Sequence, residues 1–173
     1  MKYSFFSGIG ALPFAAAAIL AAGVSAASAN CSPAGSQLIK SLNGAWKGGG
    51  SVTPLGGSSR EPINCRISYA SGTDTIEQKL TCAGTDYKIT ATSNVTCSGA
   101  TVTGRWLEQI ANNTGSVTGG IGANYLNLEV DGPNFKGRFA VNFTSAGKHT
   151  VTITQFDPAA GRHLPVATIN LTR

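Results

Sequence analysis

The sequence predicts an all-β fold, a single antiparallel up-and-down meander of about eight to ten strands closed as a small barrel, with a β-sandwich as the alternative. Three observations carry that prediction. Apolar and polar residues alternate with a period of two through most of the chain beyond residue 43, as half-buried strands require. Short stretches of Gly, Asp, Asn, Ser and Thr separate the alternating runs. No long helical period interrupts them. Turns this short leave no chain length for Greek-key crossovers, which favours the barrel over the sandwich.

Residues 1–29 read as a secretory signal peptide. Lys2 precedes an apolar, alanine-rich run over 9–22, and Ala27-Ser28-Ala29 is a small-x-small cleavage site before Asn30. The apolar run is too short for a membrane span. Residues 30–173 are then a single β-barrel-like domain. A periplasmic or secreted location follows, and four cysteines in an oxidising compartment predict two disulfides.

The domain opens with Ser36–Leu42, enough for one or two helical turns with Ser36 as N-cap. Trp46 to Val52 contains Gly48-Gly49-Gly50 but no GK[ST] and no following helix, so a bent strand is expected and a phosphate loop is not. The stretch from Cys65 to Cys97 is the most informative. Parity puts Cys65, Ile67 and Tyr69 on one face, and Ile76, Leu80 and Cys82 on one face of the next strand. A tight turn at Thr73-Asp74 sets Cys65 opposite Cys82, Ile67 opposite Leu80 and Arg66 opposite Thr81. Cys65–Cys82 is therefore the favoured pair, leaving Cys31–Cys97. A third strand follows the turn Gly84-Thr85-Asp86, with Ile89 facing Cys82 and Ala91 facing Leu80.

Val102, Trp106 and Ile110 share a face of the next strand, and Asn112–Gly115 reads as a turn. A weak, glycine-rich strand over Ser116–Ile121 leads to Tyr125–Val130, where Leu126, Leu128 and Val130 point inward. The turn Asp131-Gly132-Pro133-Asn134 is the strongest in the chain. Phe135, Phe139, Val141 and Phe143 then line one face. After the strand Thr150–Phe156, a Pro/Gly loop over Asp157–His163 leads to a closing strand, Val166–Thr172.

The charges exclude several functions. Charged residues make up only 12% of the chain and are scattered singly, with no basic run interleaved with aromatics, so nucleic-acid binding is not predicted. Lys, Arg and Glu on the outward faces do not suit a barrel facing lipid. No catalytic constellation emerges: GxSxG is absent, no second acid is placed for a glycosidase pair, and no CxxC spacing suggests a metal. His149 and His163 fall at strand ends beside Lys148 and Arg162 and read as solvent-exposed. Glu108 shares the parity of Trp106. Inside the barrel its carboxylate would need a partner, and Arg173 is the candidate; at the rim it would be solvated, as glutamates usually are.

Two resemblances add to this reading. Leu42-Asn43-Gly44-Ala45-Trp46, after a helical turn, resembles the Gly-x-Trp feature of lipocalin-like calycin barrels, which implies that Arg173 at the end of the last strand packs on Trp46. Trp46-Lys47-Gly48-Gly49-Gly50, Cys65-Arg66-Ile67-Ser68-Tyr69, Gln78-Lys79-Leu80-Thr81-Cys82-Ala83 and Gly104-Arg105-Trp106-Leu107-Glu108 resemble small exported β-proteins of alphaproteobacteria, a group without an established activity. That resemblance implies fold and location and no mechanism. The functional expectation is a non-enzymatic exported barrel without cofactor or metal. Its partner would be a small apolar ligand held near Trp46, Trp106, Glu108 and Arg173. The alternative is a structural or interaction protein of the cell envelope with a solid core.

Overall fold

The computed structural model describes residues 30–173; the signal-peptide reading of 1–29 lies outside the described residues. One helix, α1 (Pro33–Leu42), precedes ten strands: β1 (Gly44–Val52), β2 (Glu61–Ser71), β3 (Thr75–Ala83), β4 (Lys88–Ser98), β5 (Thr101–Glu108), β6 (Asn113–Ile121), β7 (Tyr125–Gly132), β8 (Phe135–Ser145), β9 (Lys148–Asp157) and β10 (Arg162–Thr172). Each strand pairs antiparallel with its sequence neighbours, and β10 pairs with β1 to close a barrel. Full closure leaves no unpaired edge.

The register through the cysteine-bearing strands is the one parity requires. Cys65 faces Cys82, Arg66 faces Thr81 and Ile67 faces Leu80; Ile89 then faces Cys82 and Ala91 faces Leu80. A slip of one residue would turn Lys79 and Lys88 inward. Disulfides join Cys65 to Cys82 and Cys31 to Cys97. The second holds the N-terminal arm to the end of β4, where Ser32 N–H also donates to Gly99 C=O at 2.6 Å.

Several local expectations are corrected. The helix starts earlier than Ser36: Ser32 is the N-cap, its hydroxyl accepting from Gly35 N–H at 3.1 Å, and Pro33 fits the first turn where no N–H is needed. Asn113 and Gly115 belong to β6, the turn falling before them with Asn112 at φ 53°. Ile110 lies in that turn and is exposed. The closing strand reaches back to Arg162, because a register shift between Pro165 and Ala167 leaves Val166 unpaired beside the proline and lets Arg162–Pro165 continue the ladder with β9. The glycine-dense start is a continuous strand that pairs with β2 and β10 without a register shift. A Cβ on Gly48 or Gly50 would strike the β10 backbone at Asn170 or Thr168.

The barrel has two unlike ends. At one end α1 inserts Leu38, Ile39 and Leu42, all at most 3% exposed, beneath Trp46, Ile121, Val102 and Leu171. The β1–β2, β3–β4, β5–β6, β7–β8 and β9–β10 connections lie at the other end, which no helix covers among the described residues. The outer wall is polar, with Lys47, Arg66, Lys79, Arg105, Glu129 and Arg138 all exposed.

Candidate functional site

The closed end is fastened by three contacts. Trp46 reaches β1's inner face, and its indole N–H donates to Leu42 C=O at 2.7 Å, so the last turn of α1 and the first turn of β1 satisfy each other. The Arg173 guanidinium lies 4.7 Å from the Trp46 ring centroid and donates to Ser41 C=O. This is the packing implied by the calycin resemblance. It covers the Trp46 ring from outside with a cation favourable to an aromatic face.

His149 completes this end and is the residue that sequence reasoning placed wrongly. It is 1% exposed, with its ring 4.4 Å from Trp46, 5.0 Å from Phe143 and 6.4 Å from Tyr69, centroid to centroid. Neither ring nitrogen has a hydrogen-bond partner. Burial, reinforced by the Arg173 charge, lowers its pKa to about 4, so the ring is neutral at physiological pH. Burial likewise raises the Tyr69 hydroxyl well above its ordinary value, with a Gln78 hydrogen bond opposing the shift. The missed signal was parity, since His149 continues the inward series of Val151 and Ile153. His163 sits at the opposite end of the barrel, edge-on to Phe156.

Toward the other end the inner face is mixed: Ile63, Cys65, Cys82 and Val130 are buried, and several larger side chains are half-buried. Leu80, Ile89, Trp106, Leu128, Phe139 and Ile153 belong to the inner face by register yet remain reachable by solvent. They make a half-buried apolar stretch of inner wall, the cup, toward the end away from α1. Trp106 packs edge-on against Phe135 at 5.9 Å, and Phe135 lies 6.2 Å from Phe139. Gly115 and Gly132 make the slot for the Trp106 indole. A Cβ on the first would come 2.6 Å from Nε1, and one on the second 2.9 Å from the ring. The Trp106 N–H has no acceptor. A polar cross-strand pair also faces inward, Ser93 hydroxyl donating to the Gln78 side-chain oxygen at 2.9 Å.

The four residues expected to form one site are split between two ends. Trp46 and Arg173 belong to the plug; Trp106 belongs to the cup. Glu108 lies at the cup's rim, where its carboxylate accepts from Ile110 N–H at 2.9 Å and Ala111 N–H at 2.7 Å. The Ala111 hydrogen bond is the main reason its pKa is lowered. Arg173 is therefore not its partner, and Glu108 braces the β5–β6 turn. Among the described residues no three His, Cys, Asp or Glu side chains converge as metal ligands would.

A closed ten-stranded meander, plugged by a helix at one end and walled by half-buried apolar side chains toward the other, defines a small antiparallel barrel. No protein-family model matches the chain, and no curated protein matches it in sequence. Solved structures do match it in fold. Rv2717c from M. tuberculosis is 13% identical with a TM-score of 0.61, covering 83% of this chain and 99% of that one. EF1p2_mFAP2b, solved bound to DFHBI, is 13% identical with a TM-score of 0.51, covering 80% and 98%. The S-type phycobiliprotein lyase CPES from Guillardia theta is 11% identical with a TM-score of 0.54, covering 79% and 90%. At these identities the likeness is one of fold.

Proposed function

We propose that this protein is an exported binding protein that takes a small, predominantly apolar molecule into the cup at the end opposite α1. The observation that carries this reading is the set of apolar residues on the inner face that the fold leaves half-buried, Leu80, Ile89, Trp106, Leu128, Phe139 and Ile153, beside the fully buried Ile63, Cys65 and Cys82. Eight strands leave an interior just wide enough for side chains, and ten leave more room. The lining is apolar and aromatic, with the Gln78–Ser93 pair available to orient a ligand, the mixture usual in small-molecule sites. The DFHBI-bound neighbour supports the idea that a barrel of this shape can hold a small molecule. Two disulfides support export. No helix among the described residues is long and apolar enough to cross a membrane, and the polar outer wall suits water. The reading is of binding rather than catalysis, because the cup presents no paired acid and base and no activated nucleophile.

Titration with Nile red, an uncharged apolar dye, tests the cup. Saturable fluorescence enhancement is expected, and Ala91→Trp, which adds an indole to the half-buried inner wall, should abolish it while the far-UV spectrum stays that of the parent. Absence of saturable binding, or binding indifferent to Ala91→Trp, would favour the solid structural barrel instead.

A further inference from the structure

The outer wall of β1, β2 and β3 near the α1 end carries a groove of about 550 Å³ whose lining includes Lys47, Arg66, Lys79 and Arg173 together with the hydroxyl residues Ser68 and Thr81. Every charged side chain in the lining is a cation, and no Asp or Glu lines it. Lys47 stands directly opposite Arg66 in the β1–β2 ladder, and Ser68 stands opposite Lys79 in the β2–β3 ladder. Like charges directly opposite on neighbouring strands destabilise a sheet. The ion pairs among the described residues are Lys136–Asp131 and Arg138–Glu129, both on β7 and β8, so none of the four groove cations is neutralised within the protein. The nearest acid along these strands, Glu77, lies two residues from Lys79 on the same outward face and does not line the groove. Arg173 is held in place by the Trp46 ring and by Ser41 C=O, which leaves further guanidinium N–H groups to face a ligand.

We propose that this groove is a binding site for a compact polyanion bearing phosphoryl groups, either free or as a lipid headgroup. Two guanidinium forks, two ammonium groups and two hydroxyls form a set made for donation, and phosphoryl oxygens accept from all three. The site lies on the outside of the wall and is independent of the cup.

Two probes separate the sources. Inorganic tripolyphosphate is titrated by calorimetry into the disulfide-bonded domain at about 0.15 M ionic strength, where the Debye length is about 8 Å. Vesicles containing phosphatidylglycerol, against phosphatidylcholine vesicles as control, are tested by co-sedimentation. Binding of tripolyphosphate alone identifies a soluble anion, and sedimentation with the anionic vesicles identifies a headgroup; either supports the site. Lys47→Glu with Arg66→Glu should weaken the observed binding by roughly tenfold to a hundredfold, since two charge-assisted contacts are reversed. Lys47→Arg with Arg66→Lys should retain it, which separates lost charge from lost fold. Lys136→Glu, outside the groove, should leave it within about twofold, because exposed charges beyond a Debye length are largely screened. Failure to bind either probe, or equal weakening by Lys136→Glu and by the groove pair, would overturn the proposal. Nile red binding should survive the groove substitutions, so failure of the cup reading and of the groove reading are separately visible.

Discussion

At the scale of single residues, His149 has the largest consequence for stability. It is buried and neutral in the fold, with its pKa lowered to about 4, while in the unfolded chain it titrates near the ordinary value of 6.5. A group whose folded pKa is depressed below its unfolded one takes up protons preferentially on unfolding. For a histidine this stability is therefore fully present above about pH 6.5 and is lost as pH falls toward 4, by up to about 1.4 kcal/mol per pH unit. His149→Phe should remove that slope. Urea unfolding at pH 7 and at pH 4.5 should show the parent losing more stability than the variant between the two conditions; parallel losses would mean that the ring is protonated in the folded state. The residue scale is also where the sequence was least informative. Period-two parity decides which wall face a side chain joins, but not how far along the barrel axis it sits. Glu108 and Trp106 share an inward parity, yet the first accepts two turn amides at the rim and the second lines the cup. Trp46 and Trp106 look alike in sequence, each following Gly by two residues, and lie at opposite ends.

The elements were far more legible. The β2–β3–β4 register could be written down in advance because a buried face with lysines on its reverse allows no slip. What stayed hidden was what depends on backbone geometry rather than pattern. The helix began at Ser32 and Pro33 instead of Ser36, and the bulge at Pro165 lengthened β10 beyond its alternating core. The two disulfides differ in the chain they enclose, with separations of 66 residues for Cys31–Cys97 and 17 for Cys65–Cys82. On the chain-entropy account these loops correspond to about 4 and about 3 kcal/mol respectively. Cys31→Ser with Cys97→Ser should lower the urea midpoint more than Cys65→Ser with Cys82→Ser, if constraint of the unfolded chain dominates. The reverse order would place the greater weight on packing within the β2–β3 ladder.

At the scale of the whole molecule, both cross-links fall on the same side. Cys31, Cys65, Cys82 and Cys97 tie the N-terminal arm, β2, β3 and β4, whereas no disulfide reaches β6 through β10. The unfastened side includes Leu128, Phe139 and Ile153 of the cup, and it ends at the β10–β1 seam, where Gly48 and Gly50 contribute no side chain to bridge the two strands. Amide hydrogen exchange should follow this division. Central amides of β2–β4 should exchange only with global unfolding, and those of β8–β10 should exchange sooner through local opening. Uniform protection around the barrel would refute the division. The wall is thus a continuous cylinder in its hydrogen bonds but cross-linked on one side only, with a fixed jamb of three strands and a leaf of five. Reducing the disulfides should therefore erase the difference in exchange between jamb and leaf.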